Sequence, residues 1–455
     1  MRTLLSTDKV IRPSRLAAAL FLSAALGCSP ARAETGGSRG LRLDLDALHS
    51  DVIGLTGTDA ALDVQPPAAV AGRAVASGAP ATGAEKEWTI MVFMDGKNNL
   101  APDALDNVHA MERAVEPGDG FNVVVELGQL KKDGESGLIL PGRYQWDGSR
   151  RYLILHNENP SAIGSLEFDA PDPTDPDISA DPDMGDWHRL VDFAVWARLT
   201  FPAKKYMLIV WNHGGGWQGI SFDDQSNNNI SVRQLGRALD NVGRLDLYAS
   251  DACLMQMADV VEELKDHAPV VVGSEEVEPG AGYDYEALLK KLSAHPQADA
   301  EELARDVVDS YGEYYAGGDD KVTQSAVRAS AMDGLRSRLD AWTAAVMRAG
   351  ERPALAEAQK AVLRFDDQDS ADLYDLVSNV DQRSQDAQVR AAGRSLLDFL
   401  EKSLVIDAAQ VGIPRAKGLA IYLPAGKYDE AHRKLAWAQD SHWDDFLRWL
   451  LAAGS

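Results

Sequence analysis

The chain of 455 residues has only two cysteines, Cys28 and Cys253. Cys28 lies in an apparent export signal, so Cys253 is the only cysteine expected to be free for chemistry in the mature protein, which excludes an internal disulfide. The nine histidines show no paired spacing suggestive of zinc. Beyond the N-terminus no apolar run is long enough to cross a bilayer as a helix. Positive charge is scarce too: 45 Lys and Arg stand against 70 Asp and Glu, a net −25. Such a surface, with no basic cluster, repels phosphate backbones and argues against nucleic acid as a partner. It suits basic peptides, or simply solubility.

What is present begins with a secretory pattern. Lys9, Arg12 and Arg15 precede the apolar stretch Leu16 to Leu26, 11 residues long and too short to span a membrane. Gly27-Cys28-Ser29 resembles a bacterial lipoprotein cleavage site, which would make Cys28 a lipid-carrying first residue. Ala31-Arg32-Ala33 fits an ordinary signal peptidase instead. Either processing exports the protein from a bacterial cytoplasm, lipid-anchored or soluble. Residues 34–86, rich in Ala, Gly, Pro, Asp and Thr, read as a tether or propeptide.

From Trp88 the pattern changes. Strand-like runs Trp88 to Met94, Phe121 to Leu127, Tyr206 to Trp211, Leu245 to Ser250 and Pro269 to Gly273 alternate with helical periodicity at Ala101 to Val115, Trp187 to Leu199 and Ser231 to Val242. Gly142 to Leu155 reads as a hairpin around Asp147-Gly148. The alternation predicts an α/β core over 87–295 with a mostly parallel central sheet covered on both faces. Residues 296–455 read as a mainly helical C-terminal part packed on that core, with a strand pair near 405–411 and 418–423.

Two of the strands stop at reactive side chains. Tyr206 to Trp211 runs into Asn212-His213-Gly214-Gly215-Gly216-Trp217, and Leu245 to Ser250 into Asp251-Ala252-Cys253. Sites in open α/β sheets form beyond the carboxyl ends of strands, so an imidazole and a thiol are expected over one crevice. The thiolate is the attacking form. An adjacent His213 imidazolium and a helix starting just after Cys253 would both favour it. His213 would then protonate the leaving amine. The backbone N–H groups of Gly214 and Cys253 are the candidate oxyanion donors. Asp251 shares the sheet face of Cys253 and either lines the pocket or caps a turn. Trp217 is a candidate wall of the cleft.

On these blocks the chain resembles the clostripain family of cysteine peptidases, relatives of caspases, gingipains and legumain. The likeness runs from about Trp88 to the end and includes Asn98-Asn99-Leu100, Asp223-Asp224-Gln225-Ser226 and Ser274-Glu275-Glu276-Val277-Glu278-Pro279-Gly280. It implies a caspase-like αβα sandwich, catalysis by His213 and Cys253, and cleavage after basic residues, chiefly Arg. Asp251 and Asp284 would line the basic-residue pocket, with Glu275 and Glu276 as runners-up. It also raises self-cleavage at Arg233, Arg237 or Arg244, and calcium at Asp223 and Asp224, although no cofactor is required. A catalytically inactive peptide- or partner-binding protein on the same fold is the alternative reading.

Overall fold

The computed structural model describes residues 85–130, 146–168 and 182–452. The export signal, Cys28, nearly all of the tether and most of the Asp- and Pro-rich loop before residue 186 lie outside them.

A nine-stranded sheet divides the molecule. Its strands are β1 (Lys86–Gly96), β2 (Phe121–Gln129), β3 (Gly148–Leu153), β4 (Leu166–Phe168), β5 (Ala203–Trp211), β8 (Leu247–Asp251), β9 (Val270–Gly273), β10 (Val322–Arg328) and β12 (Val405–Val411). Two small sheets pair β6 (Ile220–Asp223) with β7 (Asn228–Ile230), and β11 (Ser370–Asp372) with β13 (Ala420–Tyr422). The order across the large sheet is β12-β10-β9-β8-β5-β1-β2-β3-β4. The five inner strands are parallel, and an antiparallel pair closes each edge.

Strand β1 shows why the sequence makes such a layer. Trp88, Ile90, Val92 and Met94 enter one core cluster, whereas Met91 and Phe93 enter the other. A strand apolar on both sides must be covered on both sides. One face is covered by α1 (Ala101–Ala114), α5 (Tyr285–Ala294) and α6 (Ala300–Tyr315). The other packs α2 (Trp187–Thr200), α3 (Val232–Val242) and α4 (Ala258–Leu264) together with the C-terminal helices. The result is the expected αβα sandwich.

Three expectations need correction. Asp147-Gly148 is not a hairpin turn but the start of β3, which pairs with β2 and β4. The strands near 405–411 and 418–423 exist but do not pair with each other; β12 joins β10 and β13 joins β11. Residue 295 is no architectural boundary either, because β10 and β12 extend the central sheet past β9. Strand β10 carries no apolar signature in the sequence because Thr323, Gln324 and Ser325 break its run, yet all three are buried.

Candidate active site

The sheet register sets the site. Strands β5 and β8 are parallel neighbours in which Trp211 pairs with Asp251. His213 and Cys253 therefore each stand two residues past the same level. A single narrow cavity of about 20 Å³ is lined by both, together with Asp251, Glu278, Pro279, Gly280 and Gly282. That space holds about one water molecule.

The histidine loop is pinned by Asn212. Its side-chain amide donates to the carbonyl of Asp95 at 2.5 Å, and its Oδ1 accepts from the amides of His213 (2.6 Å) and Phe222 (2.8 Å). The glycines let this loop lie directly on the cysteine turn: a Cβ at Gly214 would stand 2.1 Å from the carbonyl oxygen of Cys253. The two expected oxyanion donors thus belong to segments in van der Waals contact. The imidazole is nearly buried, and its Nε2 lies 2.7 Å from Oδ1 of Asn99. Burial pulls its pKa down to about 4, so the resting ring is neutral at physiological pH rather than an imidazolium.

The cysteine turn departs from expectation in one respect. Leu254 has φ +65°, which breaks the chain direction after Cys253, and α4 begins only at Ala258. A helix terminus acts over about one turn, so α4 supplies no field at the sulfur. The Cys253 sulfur accepts from the amide of Glu278 at 3.3 Å.

Asp251 lines the cavity. It accepts from the Tyr285 hydroxyl at 2.8 Å and the Tyr283 amide at 3.3 Å. Burial is the main force pushing its pKa up to about 6. Gly282, with φ +61°, packs on this carboxylate so closely that a Cβ would lie 2.6 Å from Oδ1. The second acid of the cavity is Glu278, not Asp284. Asp284 caps α5 through the Ala287 amide and lines a separate cleft of about 510 Å³ beside Asp103 and Asp106. Glu275 and Glu276 also turn elsewhere: Glu275 receives the Gly418 amide, and Glu276 those of Val277 and Asp366. Glu278 stood in a recognised sequence block; only its partners distinguish it from its two neighbours.

The remaining candidates fall away from the cavity. Trp217 is turned into the core, edge-on to Tyr422 and His432 at 5.5 and 5.4 Å, and does not line it. Asp223 is committed: its oxygens accept from Gln225, Ser226 and Met184, and Lys97 lies 3.4 Å away. A carboxylate so occupied does not fit a calcium ion, and Asp224 beside it is exposed. Arg233 and Arg237 sit on α3, while Arg244 lies in the loop after it. His432 is fully buried between Asp259 (2.6 Å) and Asp444 (3.2 Å).

Fold and site together define a class: an αβα protein carrying a cysteine and a histidine over the carboxyl ends of adjacent parallel strands. The model of the clostripain family matches residues 92–449, and the chain belongs to that family. Clostripain of Hathewaya histolytica is 26% identical over 230 residues, covering 45% of this chain and 42% of that protein. The aligned part thus spans less than half of that relative. Two solved structures share the fold, each covering 79% of this chain and 99% of the other. One is an inactive zymogen C11 protease from Parabacteroides distasonis (TM-score 0.57, 17% identity). The other is a secreted C11 cysteine protease from Bacteroides thetaiotaomicron in complex with an irreversible peptide inhibitor (TM-score 0.58, 18% identity).

Proposed function

We propose that the protein is an exported cysteine endopeptidase that cleaves after Arg, and secondarily Lys, through a thioester formed on Cys253. The observation that carries this reading is the single cavity in which His213, Cys253 and the buried Asp251 converge. Membership in the clostripain family supports the reaction class.

The reduced thiol is the working form. With Asn99 accepting from Nε2, Nδ1 of His213 is the nitrogen that takes the thiol proton as sulfur attacks the scissile carbonyl. A neutral, buried imidazole suits that acceptor role. The oxyanion is received by the amides of Gly214 and Cys253. Collapse breaks the C–N bond, His213 returns the proton to the leaving amine, and water then hydrolyses the thioester. Asp251 supplies the charge that a P1 guanidinium seeks. Export follows from the N-terminal signal pattern; the C11 relative described as secreted is consistent with it. Self-cleavage, if it occurs in the interval between the two strands, fits Arg244 best, since Arg233 and Arg237 are held in a helix.

The test uses fluorogenic peptides ending in Arg, Lys, Ala or Asp, with reductant present, on wild type and Cys253→Ala, with and without calcium. Turnover of basic substrates that the variant loses is the expected result. A folded, reduced protein silent on every peptide would refute the peptidase and favour the binding reading.

A further inference from the structure

We propose that Glu278 serves the substrate pocket as a neutral carboxylic acid, donating its proton to Asp251 so that the pocket carries one negative charge, matched to one basic side chain. This rests on the basic-residue reading above and deepens it.

Glu278 is 5% exposed and lines the same cavity as Cys253 and His213. Its Oε1 accepts from the side-chain amide of Gln324 at 3.2 Å. No donor reaches its buried Oε2. The carboxyl's other partners are the backbone amide of Ala252 and Asp251, with which it shares a side-chain hydrogen bond. Two ionised carboxylates have no proton for such a bond, so one acid is protonated. Asp251 already accepts from Tyr285 and Tyr283, which favours its ionised form. Glu278 is therefore the donor of the bond between them. Its own pKa is raised by burial first and by Asp251 second.

The surrounding groups do not offset the charge. Tyr283, Tyr285, Tyr311 and Tyr315 face the pair from the loop before α5, from α5 and from α6. Gln324 faces it from β10, and His213 is neutral across the cavity. None of these is a cation. Two further buried atoms, Oε1 of Gln324 and the Tyr311 hydroxyl, have no hydrogen-bond partner. An anion walled by neutral dipoles, with acceptors left over, is incomplete until a cationic donor arrives. Because Glu278 acts through Asp251, it is a positioning residue.

The consequence is asymmetric. Glu278→Gln keeps an oxygen for Gln324 and an N–H for Asp251, so kcat/KM on Arg peptides should stay within about threefold of wild type. Its preference for Arg over the neutral isostere citrulline should persist. Glu278→Leu removes the donor, and its KM should rise about tenfold with kcat less affected. Asp251→Asn should erase the Arg-over-citrulline preference. A substrate-free readout is the infrared C=O band of a buried neutral carboxyl, lost in the spectrum of Glu278→Gln minus wild type at pH 7. If Glu278→Gln destroys Arg preference as thoroughly as Asp251→Asn, or the band is unchanged, the pocket uses two anions and the proposal fails. A wild type that does not distinguish Arg from citrulline overturns the basic-residue reading, and with it the pocket's matching of charge. The infrared result would still decide the protonation of Glu278. Calcium binding that quenches the band would likewise overturn the proposal.

Discussion

Two buried acid clusters flank the cysteine turn, and they are built on opposite principles. Asp251 and Glu278 lie before and beside the sulfur with tyrosines and a glutamine around them and, among the described residues, no cation. Asp259, on the helix after the sulfur, meets Asp444 across the imidazole of His432, with Tyr428 donating to Asp444. Both clusters are buried, but the second contains its own counter-ion. Burial lowers the His432 pKa while the two aspartates raise it more strongly, to about 9. A cluster that only holds parts together satisfies itself; one that awaits a ligand leaves acceptors open. The compensated cluster also has a reach. His432 packs on Trp217 from the histidine loop and holds Asp259 from the cysteine side, so the C-terminal residues brace both halves of the site.

A third pair refines the lesson. Glu275 and Asp372 are buried, share a hydrogen bond, and lack a cation as well. Yet Asp372 accepts from the amides of Lys417 and Asp375, Glu275 from Gly418, and neither residue lines the cavity. An uncompensated acid pair is thus not a site in itself. The open cavity and the nearby sulfur make Asp251–Glu278 one.

The largest expected effect is on chemistry. Cys253→Ala should lower kcat/KM at least about 10⁴-fold while circular dichroism and melting are preserved; retained turnover would remove the thiol mechanism. Asp251→Asn comes next, with a loss of about 10²–10³-fold on Arg peptides. Stability should move the other way. A carboxyl whose folded pKa is raised destabilises the fold above its unfolded value of 3.8, fully so above about 6. The variant should therefore melt no lower than wild type at pH 8. A clear drop in melting temperature would place Asp251 among the structural acids.

His432→Ala should show the reverse profile, losing about 3–5 kcal/mol of stability because it strands two buried carboxylates. The pH sign is fixed by the raised pKa. The imidazolium contribution, about 3 kcal/mol, is complete below 6.5 and disappears as pH rises through about 9. Urea melts from pH 6 to 10 should show that decline in wild type and not in the variant. Asn99→Ala should cost about tenfold in kcat with little change in KM, since it releases the His213 ring without touching the pocket. Smallest of all, Arg237→Gln breaks only an exposed 3.6 Å pair with Asp240 and should alter stability by under about 0.5 kcal/mol.

Much of this was legible before any coordinates. The two-sided apolar runs of β1, β5 and β8 dictated a covered parallel sheet, and their abrupt ends at His213 and Cys253 located the crevice. These signals are local, because a strand's periodicity and its punctuation lie within a dozen residues. Asp251 was found by the alternation of side chains along one strand. By contrast, the sequence points to Asp284, with Glu275 and Glu276 behind it, and sets Trp217 in the cleft, whereas Glu278 lines the cavity and Trp217 packs against His432. Such choices turn on contacts between residues 25 to more than 200 positions apart, as with Cys253 and Glu278 or Trp217 and His432. The sequence by itself determined which residue types stand at the carboxyl ends of neighbouring strands. Only the tertiary structure decided which buried acids received a counter-ion and which were left facing a cavity. Burial, and the company a charge keeps there, belong to the packing of distant segments and leave no periodic mark along the chain.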